Sequence, residues 1–164
     1  MSRLIGALAD ATKPAGIIVR TVRTCNLVRF AVDGGGDMTY QIRLAEGGGH
    51  MEYECADFAK DVAELSGRLK SIEAAGERHG LKRLLITFTG APVDGDTAIF
   101  DLYVQLNQDI RKMAGWRFAW LPSNAMPNHA IEAVRSYADL FKLLGIESEC
   151  FSDRGNAVAW CERA

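Results

Sequence analysis

Long apolar runs are missing from this chain. None approaches the ~20 consecutive apolar residues that a membrane-crossing helix needs. The opening stretch, Met1-Ser-Arg-Leu-Ile-Gly-Ala-Leu-Ala-Asp10, places an acid inside a short apolar segment and has one basic residue, which makes a poor secretory leader. An excess of either charge is missing too. Nineteen basic and 21 acidic residues leave a net charge of −2, and no region departs far from balance: six basic to four acidic over 1–50, four to seven over 51–80, nine to ten over 81–164. Without a basic field, neither nucleic acid nor an anionic membrane surface is an expected partner. Cysteine is sparse and scattered, at Cys25, Cys55, Cys150 and Cys161. With no C-x-x-C pair and no histidine at zinc-ligand spacing, neither a disulfide framework nor a metal centre is expected. Free thiols in a reducing cytoplasm are the simplest account. Walker, G-x-G-x-x-G, G-x-S-x-G and H-E-x-x-H patterns are all missing, so no cofactor is expected and an enzyme ranks last among the readings.

What is present is an ordinary globular composition. The 164 residues are 48% hydrophobic and 24% charged, enough for one domain that buries roughly 70% of its unfolded surface. Residues 1–15 read as a loosely attached arm and 16–164 as the domain.

Two textures divide that domain. Over 17–55 the pattern is short strands and glycine turns: Ile17–Val22, then Leu27–Val32, then the turn Asp33-Gly-Gly-Gly-Asp37. Met38, Tyr40, Ile42 and Leu44 alternate with polar residues, and after Gly47-Gly-Gly49 so do Met51, Tyr53 and Cys55, the period of half-buried strands. These predict an antiparallel meander with one wet face. From residue 56 the period lengthens. Phe58, Val62, Leu65, Leu69 and Ile72 form a helical stripe with Asp57 as its cap and Gly80 as its stop. Leu84–Phe88 is a strand covered on both faces. Ile99, Leu102, Leu106, Ile110 and Met113 stripe the next helix, over 97–113, and Trp116–Leu121 is a strand. Pro127 suits the first turn of a third helix buried through Ile131, Val134, Ala138 and Phe141. Ile146–Phe151, with Glu147 and Glu149 on one face, is an edge strand, followed by a short helix capped by Ser152 or Asp153. The fold class is therefore α/β with an α+β tendency, a meander continuing into a βαβαβα mixed sheet with right-handed crossovers.

Certain residues carry a family resemblance. Leu84-Leu-Ile-Thr-Phe-Thr-Gly90, Arg117-Phe-Ala-Trp-Leu-Pro122 and Phe151-Ser-Asp-Arg-Gly-Asn-Ala-Val-Ala-Trp160 together resemble the STAS domains, in their SpoIIAA-like branch, over about residues 50–162. The resemblance implies helices packed mainly on one side of the sheet and a regulatory, non-catalytic role through a protein partner. Phosphorylation-controlled members carry Asp-Ser-Ser-Gly where the helix after the central strand begins. Counted from Gly90, Thr97 falls on that hydroxyl, but this chain has Asp94-Gly-Asp-Thr-Ala98 there instead.

Asp94, Gly95, Asp96 and Thr97 are thus the candidate regulatory or partner-binding residues. Phosphorylation of Thr97 would add a charge near −2; a cap by Asp96 or Thr97, worth about 1 kcal/mol, explains the same residues more simply. The glycine triplets read as hairpin turns. A Cys–His pair from Cys55 with His50 or His129 is the one nucleophilic arrangement considered, and Arg29 with Arg43 the one anion contact. Trp116, Trp120 and Trp160 are expected in the sheet–helix packing. The rival to a partner-binding module is an apolar pocket for a small lipid-like ligand. Homodimer pairing through the meander or the Ile146–Phe151 edge is also compatible with the pattern.

Overall fold

The computed structural model describes residues 27–28, 40–59, 61–90, 101 and 104–163. The 1–15 arm, the Ile17–Val22 strand, the Asp33–Asp37 turn and Asp94, Gly95, Asp96 and Thr97 lie outside these residues.

The described elements run β1 (Leu27–Val28), β2 (Tyr40–Leu44), β3 (Met51–Cys55), α1 (Val62–His79), β4 (Arg83–Phe88), α2 (Asn107–Lys112), β5 (Arg117–Leu121), α3 (Asn128–Leu143), β6 (Glu147–Cys150) and α4 (Arg154–Glu162). The strands form one sheet in the order β1-β2-β3-β4-β5-β6. β1, β2 and β3 pair antiparallel, whereas β3 through β6 are parallel. The chain is α/β, a meander continuing into a mixed sheet. Each parallel step moves one strand in the same direction. Right-handed crossovers then place α1, α2 and α3 on one face. There Leu65, Ile72, Ile110, Val134 and Phe141 bury against Met51, Tyr53, Leu84, Ile86, Phe118 and Trp120. α4 has no further strand to reach and lies on the opposite face, where Ala157 and Cys161 meet Leu85 and Ala119. Leu84, Leu85 and Ile86 are consequently all buried, as expected for a strand covered on both sides.

Most predicted elements stand where the periodicity puts them, with instructive departures. α1 begins one turn late. Its cap is Asp61, whose Oδ1 accepts the Glu64 N–H at 2.8 Å, and neither Asp57 nor Phe58 is helical. Phe58 is still buried, with its ring 4.8 Å from Phe88 and 4.9 Å from Tyr137. Asp57 is engaged by Arg68, which donates to its carbonyl at 2.8 Å and to Oδ1 at 3.2 Å. Gly80 stops α1 as predicted, in the left-handed region at φ 65°. Pro127 sits at the N-cap of α3, one position earlier than expected, and Ala130 and Tyr137 join the buried line while Ile131 is only half-buried. Asp153 caps α4 by accepting the Asn156 N–H at 2.9 Å.

The meander does not keep a fully wet face. Glu52 and His50 are buried, at 8% and 3% exposure, because α4 folds back toward β3. Trp116 and Trp120 pack among the residues of the first core, Trp120 donating to Ser148 Oγ at 2.8 Å. Trp160 lies on the second face beside Phe151.

Candidate functional site

The carboxyl ends of β4, β5 and β6 share one edge of the sheet, where open α/β sheets place their ligands. The exit from β4 is tightly specified. The Thr89 N–H and hydroxyl both donate to the Cys55 carbonyl, at 2.9 and 3.2 Å. Gly90 then passes so close to β3's end that a Cβ there would stand 2.1 Å from the Ala56 carbonyl oxygen. Only glycine fits that approach. The apolar run and its terminal glycine therefore aim the chain at this edge, although Asp94, Gly95, Asp96 and Thr97 themselves lie outside the described residues.

Beside this exit lies a solvent-open cleft of about 480 Å³, lined by Thr87, Thr89, Ser123, Asn124, Ser152 and Arg154 among others. Its walls combine hydroxyls and an amide with the apolar side chains of Phe88, Leu121 and Pro122, with Arg154 at the rim. Asp153 is committed to its cap, Arg154 to Glu52, and Ser123 Oγ to the Ala125 N–H at 3.2 Å. Such a lining offers neutral hydrogen-bonding partners. Among the described residues it contains no histidine beside a hydroxyl or thiol and no pair of carboxylates, the arrangements that nucleophilic and general acid–base catalysis use.

The three described cysteines are held as neutral thiols. Burial pushes Cys55 up to about 12 and Cys161 up to about 11, and it raises Cys150 as well, so thiolate is suppressed at neutral pH. The Cys55–His50 pair does not form: Cys55 belongs to the core under α1, whereas His50 bonds Glu162 of α4 across the other face. His129 is exposed in the first turn of α3. Among the described residues no group of three histidine, cysteine or acidic side chains could hold a metal ion. Arg43 is paired with Glu52 at 2.5 Å, and Arg29 lies outside the described residues.

A second feature lies inside the main core. A cavity of about 40 Å³ is lined by Tyr53, Cys55, Phe58, Arg68, Phe88 and Trp120 with their neighbours. Arg68 closes one side, donating to Glu64 at 2.5 Å and to the Tyr53 hydroxyl at 3.4 Å while lying 5.3 Å from the Tyr40 ring centre. Burial lowers its pKa, yet Tyr53 and the bonded Glu64 outweigh that and push it above its ordinary value. A space of that size holds about one water. Ligand pockets run to roughly 300 Å³ and more, well above the volume of this cavity.

Sequence reasoning missed Arg68, Glu52 and Glu162, and named His50 with the wrong partner. Their only signal is polar residues on strands and helix faces, which reads as solvent exposure until a long-range partner is known.

Comparison with protein-family models, with curated proteins and with solved structures gives no match. Among the described residues no helix is long and apolar enough to cross a membrane.

Proposed function

We propose that this chain is a non-catalytic regulatory or protein-interaction module of the STAS, SpoIIAA-like kind, working in the cytoplasm. Its docking surface is the carboxyl-edge cleft, extended by the Gly90–Thr97 segment and the exposed side of α2. One observation carries the reading. The cleft is built at a precisely placed strand end and mixes hydroxyls and an amide with Phe88, Leu121 and Pro122, and among the described residues it brings no nucleophile and base together. A partner that presents backbone and polar side chains would satisfy such walls; a reaction would need groups they do not contain. The free thiols of Cys55, Cys150 and Cys161 fit a reducing compartment.

The test is co-purification from native lysate of the source cell. Ser123→Arg fills the cleft, and Leu143→Arg changes an exposed residue at the end of α3, 82% exposed. A partner lost with the first variant and kept with the second supports the reading. Identical partner sets for both variants, or none with the wild type, count against it.

A further inference from the structure

α4 is attached to the sheet by different means from its neighbours. α1 and α3 sink large side chains into the main core, among them Leu65, Leu69, Ile72, Val134 and Phe141. Among the described residues the second core has four fully buried members, Leu85 and Ala119 of the sheet with Ala157 and Cys161 of α4, and Leu121, Phe151, Val158 and Trp160 pack against them only partly buried. Its fully buried side chains are mostly small and its large ones stay partly exposed, so the hydrophobic hold on α4 is weaker than that on α1 or α3.

The rest of its attachment is ionic and hydrogen-bonded. At the start of α4, Arg154 pairs with Glu52, whose carboxylate also takes Arg43 at 2.5 Å. Near its end, Glu162 Oε1 lies 2.8 Å from Nδ1 of His50. A Cβ on Gly49 would come within 2.7 Å of that same oxygen, so a larger residue there would push the carboxylate from this position. The last-turn carbonyls, which no helix can satisfy internally, are taken by arginines of the sheet. Arg83 donates to the Glu162 carbonyl at 3.0 Å, and Arg117 to those of Trp160 and Arg163. Arg117 also lies 5.5 Å from the Trp160 ring centre.

Two facts make this set of contacts releasable. Arg43, Arg154 and Glu162 have side chains 42%, 50% and 41% exposed, so salt screens their pairs. Among the described residues, Nε2 of His50 has no hydrogen-bond partner, its nearest carboxylate oxygen on Glu52 being 3.8 Å away. A buried polar atom without a partner favours the state in which water reaches it.

We propose that α4 is an ion-latched cover. It lifts from the second face of the sheet as a unit while the α1–α3 face stays folded, and lifting exposes Cys161 with the strip formed by Leu85 and Ala119. Local opening of this kind needs only the free energy of the small apolar contact and the latch, far below that of global unfolding.

Thiol labelling of the intact chain with a maleimide, followed by peptide mass mapping, reads each opening separately. Cys55 belongs to the main core and reports global unfolding; Cys161 reports the cover. In native protein at low salt, Cys161 should react at least ~10-fold faster than Cys55. Raising sodium chloride from about 0.05 to about 0.5 M, at constant pH, should speed Cys161 a further several-fold and leave Cys55 unchanged. Arg154→Met should raise the Cys161 rate at low salt and remove much of its salt dependence. Equal rates at the two cysteines, or a Cys161 rate indifferent to salt, overturns the proposal. Should Arg154→Met fail to fold, the wild-type salt series decides alone. None of these outcomes depends on a partner at the cleft.

Discussion

Two glycines in one helix make opposed predictions for the same substitution. Gly67 and Gly76 both lie inside α1, where replacing glycine by alanine ordinarily gains about 1 kcal/mol because the unfolded chain loses freedom and the helix gains a better former. At Gly67 a new Cβ meets nothing within 4 Å, so Gly67→Ala should stabilise the protein by about that amount. At Gly76 the same Cβ would stand 2.2 Å from the Trp116 ring and 2.7 Å from the Leu81 carbonyl oxygen, where ordinary contacts begin near 3.4 Å. The ring would have to retreat by more than an ångström, and it is only 4% exposed. The carbonyl is backbone, just past the turn in which the Leu81 N–H bonds the Gly76 carbonyl at 2.9 Å. Overpacking of this kind costs about 1–3 kcal/mol, more when backbone must move. The clash outweighs the propensity gain, and Gly76→Ala should destabilise by about 1–2 kcal/mol. Urea unfolding followed by far-ultraviolet circular dichroism measures both variants, with unchanged slopes showing that stability alone has shifted. A Gly76→Ala protein as stable as wild type would refute the placement of Trp116 against α1. A destabilised Gly67→Ala would refute the propensity argument.

Gly90→Ala should cost at least ~2 kcal/mol in the same assay, because the opposing atom is the Ala56 carbonyl and cannot swing aside like a side chain; a neutral result would disprove the tight exit from β4. Alkaline stability tests the buried thiol of Cys55. Its pKa rises from the usual 9.0 to about 12 in the fold, so the unfolded chain gives up this proton first. The contribution is fully present below pH 9 and is lost as pH climbs toward 12. Between those limits wild type should lose stability relative to Cys55→Ala with a slope approaching ~1.4 kcal/mol per pH unit, and parallel curves for the two proteins would show that Cys55 is not buried as a neutral thiol.

How much was legible in advance follows from the range of each interaction. α1, β4, β5, α3 and α4 are written in local periodicity, and their stops at Gly80, Gly115 and Gly145 are positive-φ glycines that local sequence announces. The one-turn error at α1 has a local cause as well. Asp57 and Asp61 are both competent caps, and Phe58 falls four residues before Val62, in phase with the stripe. What selected Asp61 was Arg68, eleven residues past Asp57, which draws Asp57 into a tertiary ion pair. Gly90 could be recognised as a break in an apolar run, but its collision partner, Ala56, is 34 residues away and invisible to any window.

The same logic explains the polar side of β3. His50, Glu52 and Glu54 alternate with Met51, Tyr53 and Cys55, and alternation by itself says only which side chains share a face. Whether that face is wet depends on what the chain does a hundred residues later. Here α4, capped by Asp153, crosses back over the sheet, and Arg154 and Glu162 reach Glu52 and His50. A helix rich in large apolar residues would have needed an apolar strip on β3 to land on. α4 has few, and what receives it is an acid, a histidine and a glycine narrow enough to admit a carboxylate. The polar alternation of β3 and the modest apolar face of α4 are therefore two halves of one solution: a charged seat that adds to the limited apolar burial of Ala157, Cys161, Val158 and Trp160.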